Sequence, residues 1–140
     1  MSYGVHPYSV RLDTLQAFET RHLDGYGIER LVESCGGEFL PNDAWSAMRS
    51  SWFDAVDEAL AVCGSDVRLS NYFYRRLPFE YVPPVDFPGI GHVRNDELEG
   101  LAAKLAQTQV QGEEAAAVAQ FAGWLDEARK RQSSLVFFYY

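Results

Sequence analysis

Residues 135–140 read Leu-Val-Phe-Phe-Tyr-Tyr, and this apolar run is the stretch that decides the fold. Apolar side chains occupy both parities of the run, which is typical of a strand covered on both faces. Residues 2–10, Ser-Tyr-Gly-Val-His-Pro-Tyr-Ser-Val, also favour a strand. Pro7 lacks an N–H and therefore indicates an edge strand or a bulge. Because chain ends often lie close together, we expect the two terminal strands to pair in one small sheet.

About five helices are predicted between these strands from apolar residues that recur at spacings of three and four. They are a short helix over 12–18, one with its stripe at 28–35, one from about 41 to 63, one after Asp96, and one over 113–131. Pro41 suits the first turn of the third helix, and Asp96 with Glu99 forms a capping box for the fourth. Cys35 and Cys63 fall on apolar stripes, which predicts buried free thiols and a reducing compartment.

Two segments in the middle of the chain are not helical in pattern. Residues 67–74 (VRLSNYFY) are predicted as a strand, with Val67, Leu69 and Phe73 on one face. Residues 77–93 hold four of the six prolines and two glycines, which predicts an irregular segment. The order β-α-α-α-β-loop-α-α-β predicts a single α+β domain over 1–140, with the small sheet covered by the helices.

The charge of the chain excludes some classes of partner. The formal net charge of −8 disfavours binding to nucleic acid or to an anionic membrane and permits a basic protein partner. No signal peptide and no apolar run of about 20 residues is found in the sequence. We therefore expect a cytoplasmic protein.

The sequence contains no pattern that predicts catalysis or metal binding. The three histidines, His6, His22 and His92, have no ligand spacing that predicts a zinc site. No nucleophile motif of the type G-x-S-x-G is present. The paired acids Asp54 and Asp57 are interpreted as part of a solvated helix face. We therefore predict no catalytic residue, no metal and no cofactor, and favour a protein that is not an enzyme.

The irregular 77–93 segment is the best candidate for a binding site, because long loops in small domains often bind ligands. Tyr81, Phe87 and His92 could form one wall of a pocket, and Arg75 and Arg76 could bind a carboxylate or phosphate. The alternative is that the prolines and Phe87 only cover an open edge of the core.

Four stretches also resemble a known group of proteins. They are Met1-Ser-Tyr-Gly-Val, Phe39-Leu-Pro-Asn-Asp43, Asp86-Phe-Pro-Gly-Ile-Gly91 and Leu135-Val-Phe-Phe-Tyr. Together they resemble an uncharacterised domain common in Streptomyces and related actinobacteria, which is distantly similar to YfbM-like domains of unknown function. The resemblance implies a single bacterial α+β domain and assigns no activity and no functional residue.

Three functions remain open. The leading hypothesis is a non-enzymatic binding protein, in one version an inhibitor or immunity protein for a basic partner, because acidic surfaces with aromatic anchors suit such interfaces. The alternative is a small-molecule-binding protein or cryptic enzyme with its pocket under the 77–93 loop. A third hypothesis is a homodimer formed through Tyr72 and Tyr74.

Overall fold

The computed structural model describes residues 4–20, 22–74 and 88–140. Four strands and six α-helices are found in these ranges. In chain order they are β1 (Val5–Val10), α1 (Leu12–Gln16), α2 (Gly25–Ser34), β2 (Glu38–Phe39), α3 (Ser50–Val62), α4 (Ser70–Tyr74), β3 (Gly89–Val93), α5 (Leu98–Ala106), α6 (Glu114–Lys130) and β4 (Ser134–Tyr139). A 3₁₀ turn, Asn95–Glu97, leads directly into α5.

The strands form one antiparallel sheet in the order β2-β1-β4-β3. The predicted pairing of the terminal strands is confirmed, with Val5 opposite Tyr139 and Val10 opposite Ser134. The prediction that Pro7 marks an edge or a bulge is wrong, because β1 lies inside the sheet. The Pro7 carbonyl points to the β2 side of β1, where it accepts the Leu40 N–H at 2.9 Å. The Pro7 nitrogen points to the same side, at a level where β2 has already ended. Proline is therefore tolerated, because its missing N–H interrupts no bond to β2.

Helices cover both faces of the sheet, so the fold has three layers and two apolar cores. On one face, α1 and α2 pack on β-strand residues such as Tyr8, Val136 and Phe138. On the other face, α3 to α6 pack on residues such as Val5, Leu135 and Phe137. This arrangement confirms the α+β class and the prediction that the closing strand is covered on both sides. The single-domain organisation over 1–140 stays a prediction.

The predicted strand over 67–74 is wrong, because residues 70–74 form α4. Leu69 and Phe73 are both fully buried and lie four residues apart, which is also a helical spacing. The side chain of Asp57 on α3 accepts the Leu69 N–H at 2.7 Å and the Ser70 hydroxyl at 2.5 Å. Asp57 therefore caps the start of α4 from a neighbouring helix. Its interpretation as a solvated residue is wrong, since only 4% of it is exposed.

The third helix begins later than predicted, at Ser50. Asn42 holds the preceding segment in a non-helical form, because its amide donates to the Val5 carbonyl at 2.6 Å and its Oδ1 accepts the Trp45 N–H at 3.0 Å. Ala47 adopts a φ of 59°, which an α-helix does not allow. Trp45 is fully buried, and its indole N–H donates to the Ala117 carbonyl at 2.9 Å.

Three smaller expectations are also corrected. Residues 89–93, predicted as part of an irregular segment, form β3 at one edge of the sheet. The cap before α5 uses Glu97 instead of Asp96 and Glu99, and Glu97 accepts the Arg94 N–H at 3.0 Å. Cys63, the residue after α3, is exposed rather than buried.

The longest helix in the described ranges is α6, with 17 residues. No helix in 4–20, 22–74 or 88–140 has both the length and the apolar content that crossing a bilayer requires.

Candidate functional site

Two carboxylates of α2 lie over the sheet at its β1 side. The helix begins after Asp24, whose side chain accepts the Gly27 N–H at 2.7 Å. Ile28 and Val32 are fully buried against the sheet and fix the rotation of the helix. Glu29 and Glu33 follow these two residues by one position each. They are four residues apart and therefore occupy the same side of α2.

Glu29 is held by two side chains of β1 and by Tyr140, the residue that follows β4. His6 Nδ1 lies 2.9 Å from Glu29 Oε2, and the Tyr8 hydroxyl donates to the same oxygen at 2.7 Å. The Tyr140 hydroxyl donates to Oε1. The pairing of β1 with β4 brings these three donors to one face of the sheet. The side chain of Glu29 is only 12% exposed, so these bonds replace most of the water that would solvate it.

The hydrogen bonds keep Glu29 ionised. Burial raises the pKa of its carboxyl, but the bonds from His6, Tyr140 and Tyr8 outweigh burial and leave the pKa below the ordinary value of 4.5. Burial and the same hydrogen bonds raise the pKa of Tyr8 and Tyr140 above the ordinary value of 10.0. The site thus contains a fixed negative charge with neutral phenols around it.

Glu33 adds a second negative charge at the solvent side of this cluster. The Tyr8 hydroxyl lies 2.9 Å from Glu33 Oε1 as well as 2.7 Å from Glu29. A phenol carries only one hydroxyl hydrogen, so Tyr8 can donate to only one of the two carboxylates at a time, and both keep their negative charge. Glu33 itself is an exposed residue. The carboxylates of Glu29 and Glu33 repel each other at this spacing. A cation bound at their solvent side would therefore be stabilised.

An exposed aromatic ring lies beside the carboxylates. Phe39 on β2 is 54% exposed. Its ring packs edge-on against Tyr8 and His6, with centroid distances of 5.4 Å and 5.8 Å. Tyr8 therefore contacts both the exposed ring of Phe39 and the exposed carboxylate of Glu33. We call Glu29, Glu33, Phe39 and Tyr8 the acidic aromatic site.

The chemistry of this site suits recognition of a cation. A guanidinium or an ammonium group is attracted both by a carboxylate and by the face of an aromatic ring. A metal is not indicated, because no group of three His, Cys, Asp or Glu residues in the described part of the chain is arranged to hold one.

The binding residues predicted from the sequence are mostly not placed by the structure. Arg75, Arg76, Tyr81 and Phe87 lie outside the described residues. His92 lies on β3, is 8% exposed, and sits opposite Val136 on the sheet face that α2 covers. The five residues therefore remain a predicted site.

Sequence reasoning missed the acidic aromatic site because its members are far apart along the chain. Tyr8 and Glu29 are 21 residues apart, and Glu29 and Tyr140 are 111 residues apart. One signal was available. Glu29 lies between Ile28 and the apolar pair Leu31 and Val32, so it borders the buried stripe of α2 and needs partners there.

Comparison with known proteins identifies a family but no activity. The model of a family described as a domain of unknown function, DUF7691, matches residues 16–140. No curated protein matches the chain, and no solved structure does.

Proposed function

The chain belongs to the DUF7691 family of domains of unknown function, and from the geometry we propose that it is a binding protein for a basic protein partner. The acidic aromatic site receives a lysine or arginine side chain of that partner. One observation carries the proposal. Exposed Glu33 and exposed Phe39 both contact Tyr8, beside the half-buried charge of Glu29.

The charge of the whole chain supports the same class of partner. A net charge of −8 attracts a basic protein over long range and speeds its association at low salt. The local site then supplies the selectivity, because Glu29 is already held in place by three donors. A site that is ordered before binding loses little entropy when the partner arrives.

The proposal is tested with hexa-arginine amide as the probe, in an NMR titration of the protein at low salt. We expect the backbone amides of Glu33 and Phe39 to shift as the peptide is added. Glu33→Gln and Phe39→Ala should each weaken binding about fivefold, since an exposed ion pair or cation–π contact contributes roughly 1 kcal/mol. Raising the salt should weaken binding further.

Matched controls keep the test specific. Glu58→Gln removes an exposed carboxylate from α3, on the other side of the sheet, and Phe18→Ala removes a ring that is 52% exposed. Neither control should change the affinity by as much as the site variants. The proposal fails if hexa-arginine shifts no amide of α2 or β2, or if Glu58→Gln weakens binding as much as Glu33→Gln.

The proposal includes three further properties of the protein. They are a cytoplasmic location, a role as an inhibitor or immunity protein, and a relation to actinobacterial and YfbM-like domains. A homodimer and a small-molecule pocket under the 77–93 loop remain the competing predictions, and each would act through residues other than Glu33 and Phe39.

A further inference from the structure

The two edges of the sheet differ in exposure. All of β3 is buried or half-buried, whereas both residues of β2 are exposed. Tyr8 on β1 is opposite Phe39 on β2. In the neighbouring pair, the Leu40 N–H donates to the Pro7 carbonyl. In an antiparallel ladder the hydrogen-bonded pairs alternate, so the N–H and C=O of Phe39 point away from β1. The β2 edge therefore presents a donor and an acceptor outward.

A cavity lies beside this edge, on the α6 side of the sheet, and Phe39 of the acidic aromatic site also contributes to its lining. It has a volume of about 430 Å³, and its other lining residues are Leu40, Pro41, Gln120, Gly123, Trp124, Glu127 and Arg131. Its polar groups already have partners. The Trp124 indole donates to the Pro41 carbonyl at 2.7 Å, and Arg131 pairs with Glu127 and Glu38. The cavity therefore suits an apolar side chain.

Gly123 gives this cavity a second feature. It lies in the interior of α6, where glycine is less stable than alanine by up to about 1 kcal/mol. A Cβ at this position would meet no atom within 4 Å, so the packing of the described chain does not require a glycine there. Because Gly123 has no side chain, the cavity stays open at α6.

We propose that the basic partner adds an extended segment to the β2 edge as a further strand. Successive side chains of a strand point to opposite faces. A basic side chain beside Phe39 would then reach Glu33, and the next, apolar side chain would enter the cavity at Gly123. Main-chain hydrogen bonds to Phe39 supply affinity. The two faces of the sheet supply specificity, because one accepts a basic side chain and the other an apolar one, as in other cases of strand addition. This inference rests on the proposed function and names the form of the partner.

The test uses two hexapeptides of equal composition, one that alternates arginine with leucine and one in which three arginines precede three leucines. Only the alternating peptide can present its two residue types to the two faces of the edge. We expect it to bind about tenfold more tightly, which corresponds to burial of part of a leucine side chain. Hydrogen exchange of the Phe39 amide should become slower when the alternating peptide is bound.

Filling the cavity provides the matched variant. Gly123→Leu should weaken binding of the alternating peptide about tenfold. Gly100→Leu places the same residue on α5, where a Cβ also meets nothing within 4 Å, and should leave binding unchanged. Thermal unfolding of both variants verifies that they fold.

Four outcomes would overturn the inference. Equal affinity for the two peptides, or no protection of the Phe39 amide, rejects strand addition. Binding that Glu33→Gln weakens but Gly123→Leu does not would reject strand addition and leave the proposed function standing. Protection of the Phe39 amide that rises with protein concentration alone would show that a second copy of the chain occupies the edge instead.

Discussion

The Tyr8 hydroxyl lies 2.7 Å from Glu29 and joins the first strand to α2 across 21 residues of sequence. The bond belongs to a set that also ties the last strand to the same carboxylate, through Tyr140. Both terminal strands and α2 therefore depend on one ionised side chain. The stability of this layer should follow the protonation of Glu29 at acid pH and of the two phenols at alkaline pH.

The first prediction concerns Glu29 at acid pH. Its pKa is below the ordinary value of 4.5 in the folded protein. The unfolded chain therefore binds its proton first as the pH falls, and the stability that Glu29 contributes above pH 4.5 is lost as the pH drops through the folded pKa. Glu29→Gln should be less stable than the native protein at pH 7, and the difference should shrink below pH 4.5. Urea unfolding at several pH values measures it.

The control for this experiment is Glu58→Gln, which changes an exposed carboxylate on α3. Its stability should run parallel to that of the native protein over the same pH range. A difference between Glu29→Gln and the native protein that stays constant down to pH 2 would contradict the role of Glu29.

The second prediction concerns the phenols at alkaline pH. The pKa values of Tyr8 and Tyr140 are raised above 10.0 by burial and by the neighbouring Glu29 carboxylate. The stability linked to the neutral phenols is fully present below pH 10 and is lost as the pH rises above it, because the unfolded chain releases these protons first. Ultraviolet titration of tyrosinate should show that part of the tyrosine signal appears only together with unfolding.

The double variant Tyr8→Phe, Tyr140→Phe removes both groups and should abolish that late fraction. If all tyrosines of the native protein titrate near pH 10 while the protein is still folded by circular dichroism, the cluster is not formed as described.

Much of the fold was predictable because its strongest signals are local in the sequence. The closing run of apolar residues, the stripe of α2 and the wide apolar face of α6 each define an element without further information. The pairing of the terminal strands was expected because chain ends often lie close together. The rotation of α2 relative to the sheet did not, because it depends on how Ile28 and Val32 pack against residues at the two ends of the chain.

The errors occurred where a contact between distant residues overrides a local pattern. Leu69 and Phe73 satisfy both a period of two and a spacing of four, and the cap from Asp57 decides for helix. Similarly, the side chain of Asn42 replaces the first turns of the predicted third helix with bonds to Val5 and Trp45. The candidate site has the same origin, since Glu29 acquires its partners only when β1 pairs with β4.

The third prediction tests the cap that Asp57 provides. Asp57→Ala should lower the free energy of unfolding by about 2 kcal/mol or more, because it leaves the buried Leu69 N–H and the Ser70 hydroxyl without their acceptor. Asp54→Ala on the same helix changes an exposed carboxylate and should shift stability by less than about 0.5 kcal/mol. Equal effects of the two substitutions in chemical denaturation would show that Asp57 is not a cap.

The fourth prediction compares two glycines. Gly91 is buried in β3 at the point where α4 crosses the sheet, and a Cβ there would overlap the Tyr72 carbonyl group. Because the overlap is with backbone, Gly91→Ala must move α4 away from β3 and should cost about 3 kcal/mol or more. At Gly100 on α5 a Cβ meets nothing within 4 Å, so Gly100→Ala should stabilise the protein by about 0.5 to 1 kcal/mol. Thermal unfolding of the two variants measures the loss of stability in Gly91→Ala and the gain in Gly100→Ala. A Gly91→Ala variant as stable as the native protein would exclude the close contact between α4 and β3.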